Sequence, residues 1–135
     1  MLLNEMMHSN IGIDIDDTIT AAPEYFSKLT NLFKKTVKDK KIHIITSRTD
    51  NEEVREFTEN QLKELGIAYD YLYILPDKPV NEPPQELDWY QQYLWQKVDY
   101  CLRNDIGVMF ENEEIIKVLF SQYAPKIKFI QDFKD

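Results

Sequence analysis

Apolar positions along the chain follow two periods that take turns. Ile11, Ile13 and Ile15 occupy every second position, and Ile42, Ile44 and Ile45 form a short dense run ahead of Thr46. Alternation and short apolar runs both predict strands. Between them Phe26, Leu29, Leu32 or Phe33, and Val37 recur at helical spacing, with Thr20 suited to a cap and Pro23 to a first turn. The pattern predicts a second helix carrying Val54, Phe57, Leu62 and Leu65 and ended by Gly66. It continues with a strand over 69–75, a long helix over 85–104, a strand over 106–110, a helix over 113–121 and an edge strand over 127–130. Pro76, Pro79, Pro83 and Pro84 mark a rigid, non-helical connection before the long helix. Residues 1–10 show no clear period and read as a loose arm.

Strands that alternate with helices throughout imply right-handed crossovers and a parallel sheet covered on both faces, an α/β three-layer fold. The 135 residues contain no repeat, linker or low-complexity stretch, so one domain is expected over 1–135. A net charge of −8 disfavours nucleic acid and anionic membranes as partners. The single Cys101 rules out an internal disulfide, and no signal peptide or transmembrane run is evident, so a cytoplasmic location is expected.

The first strand ends in three carboxylates within four residues, Asp14, Asp16 and Asp17. Like charges this close, with water partly excluded, are costly unless a cation joins them. Mg²⁺ is the simplest such cation, because it is hard and works with one or two carboxylates plus phosphate oxygens. The spacing also suits acyl-phosphate chemistry, with Asp14 attacking phosphorus and Asp16 handling the leaving-group proton. The plainer alternative is an acidic turn in which Asp17 or Thr18 caps the next helix. Ligands of parallel sheets bind beyond the strand C-termini, and Asp14, Thr46 and Glu111 all fall at such ends.

These residues resemble the haloacid dehalogenase superfamily of phosphohydrolases. That family's first motif, an apolar strand ending Asp-x-Asp-x-Thr, is matched by Ile13 to Thr18, and its second by Ile42 to Thr46, followed by Ser47 and Arg48. The stretch from Lys97 through Cys101 to Glu111 is similar in order and spacing to the 5′-nucleotidase and deoxyribonucleotidase-like branch. The resemblance implies a Rossmann-like sheet of strand order 5-4-1-2-3 and Mg²⁺-dependent hydrolysis of a small phosphomonoester. It implies that Asp14 is the nucleophile and a metal ligand, and that Asp16 is the general acid and base whose carbonyl also binds the metal. Thr46, with Ser47 and Arg48, would hold the phosphoryl group, and a lysine would offset its charge.

Lys97 and Lys78 are the candidates for that lysine. Strand four climbs roughly 13–16 Å at ~3.3 Å per residue. A helix descending that height needs about nine residues at ~1.5 Å each. Counting back from Asn104 reaches about residue 95 and favours Lys97. Arg48 could instead pair with Asp50 or Glu52. His43 on a buried strand is expected to be a hydrogen-bonded core residue, and Cys101 a core residue.

Three departures from the family stand out. Where its fourth motif pairs two acids, this chain has Glu111 and then Asn112, a neutral oxygen donor, with Glu113 as a substitute. A metal site of Asp14, Asp16, Glu111 and Asn112 would bind more weakly, which leaves open a catalytically weak binding or regulatory protein. Second, only about 29 residues separate Asp16 from Thr46, too few for a cap domain. Asp17 stands where the family often has Gly. Trp89, Tyr90, Tyr93 and Trp95 project past the sheet in the helix count, where they suit a wall of the substrate pocket, a homodimer contact or packing on the proline-rich loop.

Overall fold

A computed structural model describes residues 6–131. Its strands are β1 (Asn10–Ile13), β2 (Ile42–Thr46), β3 (Tyr71–Ile74), β4 (Ile106–Phe110) and β5 (Lys128–Ile130). They alternate with helices α1 (Pro23–Thr36), α2 (Glu52–Glu64), α3 (Trp89–Arg103) and α4 (Glu114–Tyr123). All strand pairs are parallel, in the order β3-β2-β1-β4-β5, which is the expected Rossmann-like arrangement. β1 is central, flanked by β2 on one side and β4 on the other. The order reverses beside it, between β1 and β4.

The two faces have separate cores. Ile11, Ile13, Ile42, Ile44, Val108 and Phe110 pack with Phe26 and Phe33 of α1 and Leu62 of α2. Ile45 and Met109 pack with Leu94, Val98 and Cys101 of α3 and Ile116, Leu119 and Phe120 of α4. The period-two alternation of strand side chains produces this division. Gly12 points to the second face. A methyl group there would meet Met109 Sδ at 2.8 Å and Ile45 Cδ1 at 3.0 Å, so the absent side chain is what lets those two residues close over β1.

Several element boundaries differ from the sequence expectation. β1 stops at Ile13, and Ile15, still fully buried, belongs to an irregular turn over Ile15–Ile19. Neither Asp17 nor Thr18 nor Thr20 caps α1. Ala22 precedes its first residue, Pro23, and Thr20 Oγ1 instead accepts the Asp17 N–H at 2.9 Å. The expected loose arm is corrected in part. Residues 1–5 lie outside the described residues, but Met6 is buried in the core and Asn10 opens β1. The Asn10 side chain accepts from Lys41 N and donates to Asn104 O, at 2.8 and 2.9 Å. α3 starts at Trp89 rather than at 85. Asp88 and Gln91 form a reciprocal capping box there, and the box satisfies donors that a helix start otherwise leaves open.

Gly66, at φ 73°, ends α2 as its left-handed residue. One of the lysines near the end of α1 is tied to the sheet. Lys34 Nζ pairs with Asp70 at 2.6 Å, and the same carboxylate accepts the Ile42 N–H at 2.8 Å, fixing the entrance to β2. Burial works to raise the Asp70 carboxyl, but the Lys34 hydrogen bond and the Ile42 amide outweigh it and hold the group below the usual carboxylate range. A folded-state value below the unfolded one means that the contribution is full above about pH 4 and is lost as pH falls through the folded value. Asp70→Ala is therefore expected to lower unfolding free energy by about 1–2 kcal/mol at pH 7. In urea melts repeated at descending pH, the gap from wild type should close below about pH 4.

Candidate active site

Three strands deliver polar groups to the C-terminal edge of the sheet. Asp14 continues β1 by one residue, its N–H donating to Phe110 O at 3.0 Å, and its side chain is buried. The chain then turns away abruptly. Asp17 has φ 62° and ψ 8°, in the left-handed region that glycine enters freely and Asp enters more readily than most side chains. This conformation accounts for an Asp where Gly would also serve. It directs Asp16 outward, with its side chain 60% exposed.

Lys97 comes down from α3 between two acids. Its Nζ donates to Asp14 Oδ1 and to Glu111 Oε1, each at 2.7 Å, with the lysine side chain 1% exposed. Burial opposes its charge, yet the charges of Asp14 and Glu111 and their hydrogen bonds outweigh burial and hold the ammonium protonated. Burial is also the largest influence on Glu111 and raises its carboxyl against the pull of Lys97. Thr18 Oγ1 donates to the second Asp14 oxygen at 3.2 Å. Lys97 is thus the lysine at the acid cluster. Lys78 is exposed and lies outside the cavity lining.

Arg48 pairs with neither Asp50 nor Glu52. Its Nε and Nη2 clamp both oxygens of Asp16, at 3.0 and 2.9 Å. Its Nη1 donates to Thr58 Oγ1 at 2.9 Å, and the guanidinium lies 5.9 Å from the Phe57 ring centre. The Arg48 hydrogen bond holds the Asp16 carboxyl below its usual range, against burial. Like charges this close are expected to need a cation, and two protein cations, Lys97 and Arg48, stand beside Asp14 and Asp16.

A cavity of about 290 Å³ opens on this cluster, lined by Asp14, Asp16, Asp17, Ser47, Lys97, Glu111, Asn112, Glu113 and Glu114. Thr46 lies beneath it, buried, with its Oγ1 accepting the Arg48 N–H at 3.2 Å. Ser47 is the residue of that strand end that reaches the cavity wall. Glu111 uses one oxygen on Lys97 and the other on the N–H groups of Asn112 and Glu113, at 3.0 and 3.1 Å. It acts as the anchor of Lys97 and of its own loop rather than as an open metal donor.

Among the described residues, no three His, Cys, Asp or Glu side chains group so as to hold a metal ion. A divalent ion would rely on fewer charged ligands. Asp14, the Asp16 carbonyl and the Asn112 amide oxygen form a hard, all-oxygen set of the kind Mg²⁺ accepts alongside water. The wall chemistry favours such an ion. Six carboxylates and one lysine line the cavity, so an anion entering alone would be repelled.

His43 sits away from this edge, its Nδ1 2.7 Å from Tyr100 Oη, and burial lowers its pKa. It is the expected hydrogen-bonded core residue. Cys101 is buried with its Sγ 4.0 Å from Met109 Sδ. Sequence reasoning named Thr18, Arg48 and Tyr93 but missed their contacts: Thr18 on Asp14, the Arg48–Asp16 clamp, and the Tyr93 hydroxyl, which donates to Ser47 O at 3.1 Å.

No family model matches the chain, and no curated protein does. Solved structures do. A chain of the Pnkp1/Rnl/Hen1 RNA repair complex aligns with TM-score 0.61 and 13% identity over 91% of this chain and 42% of its own. A chain from a second structure of the Pnkp1/Rnl/Hen1 complex aligns with TM-score 0.59 and 15% identity over 93% of this chain and 46% of its own. This chain therefore spans less than half the length of each. At such identity the likeness establishes the shared α/β fold.

Lys97→Met should destabilise the protein by about 3–5 kcal/mol, because it strands two buried carboxylates. Adding Glu111→Gln should recover part of that loss in equilibrium denaturation. If Lys97→Met is neutral, the bridge is not a buried charge pair.

Proposed function

We propose that this chain is a phosphomonoester hydrolase of the haloacid dehalogenase type, working with Mg²⁺ and resembling the nucleotidase branch. The observation that carries this reading is the placement of Asp14. It lies at the end of the central strand, at the switch point of the sheet, with a buried lysine on one oxygen and a cavity before it. In this reading Asp14 attacks phosphorus and the leaving oxygen takes a proton from Asp16. Asp16 then removes a proton from the water that hydrolyses the aspartyl-phosphate. Lys97 keeps Asp14 oriented and, as a fixed positive charge, favours the developing negative charge on phosphoryl oxygens. Ser47, on the wall, is placed to donate to those oxygens. A bound Mg²⁺ would lend charge neutralisation and alignment of the phosphate.

Between β1 and β2 there is room only for the turn and α1, and between β3 and α3 only for the proline-rich connection. This supports an open site. The net charge of −8 supports a small phosphorylated substrate over a polynucleotide tract.

A second reading has one observation behind it. The Arg48 clamp keeps Asp16 ionised, whereas a general acid must carry a proton. With Asn112 on the wall, this favours a weakly catalytic binding protein. The two readings separate on a panel of nucleoside monophosphates and sugar phosphates with millimolar Mg²⁺. Phosphate release that Asp14→Asn reduces by about a thousandfold or more supports the enzyme. Saturable binding without release supports the second reading.

The pH dependence gives a further check. Arg48→Met relieves the downward pull on Asp16, so its carboxyl stays protonated to higher pH. The alkaline limb of the kcat profile should then move to higher pH. A limb that stays in place would mean that Asp16 is not the proton donor.

A further inference from the structure

A second cavity, of about 470 Å³, lies against the start of α3. Its volume falls in the range of small-molecule sites rather than of protein interfaces. Trp89, Tyr90 and Tyr93 supply aromatic walls, and Thr49, Asp77 and Gln92 supply polar groups among them. Trp89 is 80% exposed, an unusual degree for so large an apolar side chain. An edge contact with Tyr90, with ring centres 5.6 Å apart, positions its ring. The capping box at Asp88 and Gln91 fixes where α3 begins, and so fixes the position of Trp89.

This cavity adjoins the acid-lined one. Tyr93 borders the second cavity and donates to the carbonyl of Ser47, which borders the first. Ser47 and Thr49, two residues apart, line one cavity each. Trp89, Tyr93 and Lys97 follow one another at four-residue spacing, so they form a stripe along one side of α3. Helix rise puts Tyr93 about 6 Å and Trp89 about 12 Å along the axis from Lys97. A phosphoryl group at Asp14 and a flat ring against Tyr93 and Trp89 would therefore be joined by a spacer about one sugar long. Asp77 adds a sign to the site, because its carboxylate would accept N–H groups on the ring edge and repel a second anion.

We propose that the cavity of Trp89, Tyr90 and Tyr93 is the leaving-group subsite of the enzyme, taking a planar heteroaromatic ring one sugar away from the phosphate at Asp14. The subsite rests on the phosphohydrolase reading, and the tests separate the two.

The full chain is given Mg²⁺ and either adenosine 5′-monophosphate or ribose 5-phosphate, which differ only by the ring. If the subsite exists, the nucleotide is preferred at least tenfold in kcat/KM, mostly through KM. Trp89→Ala brings that ratio towards one, and Trp89→Phe restores much of it. A ratio near one in the wild type, or a ratio that Trp89→Ala leaves unaltered, overturns the subsite while leaving the hydrolase in place. A change in sedimentation on Trp89→Ala with the ratio intact overturns it in favour of a contact between copies. If neither compound is hydrolysed, tryptophan fluorescence with Mg²⁺ present decides. Quenching by the nucleotide but not by ribose 5-phosphate, lost in Trp89→Phe, keeps the subsite and removes the hydrolase. The absence of quenching removes the subsite as well.

Discussion

The structure depends on one buried ammonium group. Lys97 carries its charge to the floor of the C-terminal edge and divides it between Asp14 and Glu111. A charge taken out of water is unfavourable unless its partners are close and numerous, and here both partners lie at 2.7 Å. The three groups come from α3 and from the residues that directly follow β1 and β4. The bridge therefore fixes the height of the helix over the sheet and the facing of the central acid, and through Glu111 it fixes the loop that follows β4. None of these can shift without exposing an uncompensated charge.

Much of the architecture was legible in the chain. Strand and helix periods alternate without a break, and once that is so the parallel sheet and its crossovers have few alternatives. Lys97 could be placed because a strand and the helix descending to it must span equal heights, and this gave more than any local motif. Element ends were less legible, for physical reasons. Ile15 has the spacing of a strand residue but is buried in a turn, because burial does not require the ladder. Thr20 has the chemistry of a cap, yet its oxygen is taken by Asp17 N–H within the turn, leaving α1 to start at a proline.

The site was legible in its members but not in its pairings. Asp14, Asp16, Ser47, Lys97, Glu111 and Asn112 do converge. Which cation answers which acid depends on side-chain reach across elements, and periodicity carries no record of that. Arg48 had Asp50 and Glu52 close in sequence but turns to Asp16, 32 residues away, because Thr58 and Phe57 hold its guanidinium on that side. Charge density alone points to a cation beside the acids, and Lys97 and Arg48 are two such cations whose partners the sequence order does not reveal. The solved neighbours share the fold at 13% and 15% identity. A fold hosts many chemistries, so function has to be argued from the site.

Gly12 sets the clearance beneath all of this. Met109 and Ile45 meet over its bare backbone, and α3 rests on the layer they form. One added carbon would press on the far ends of Met109 and Ile45, and those two side chains would have to settle differently beneath α3. The layer on which the lysine-bearing helix rests thus fits around a bare stretch of backbone two residues before the central acid.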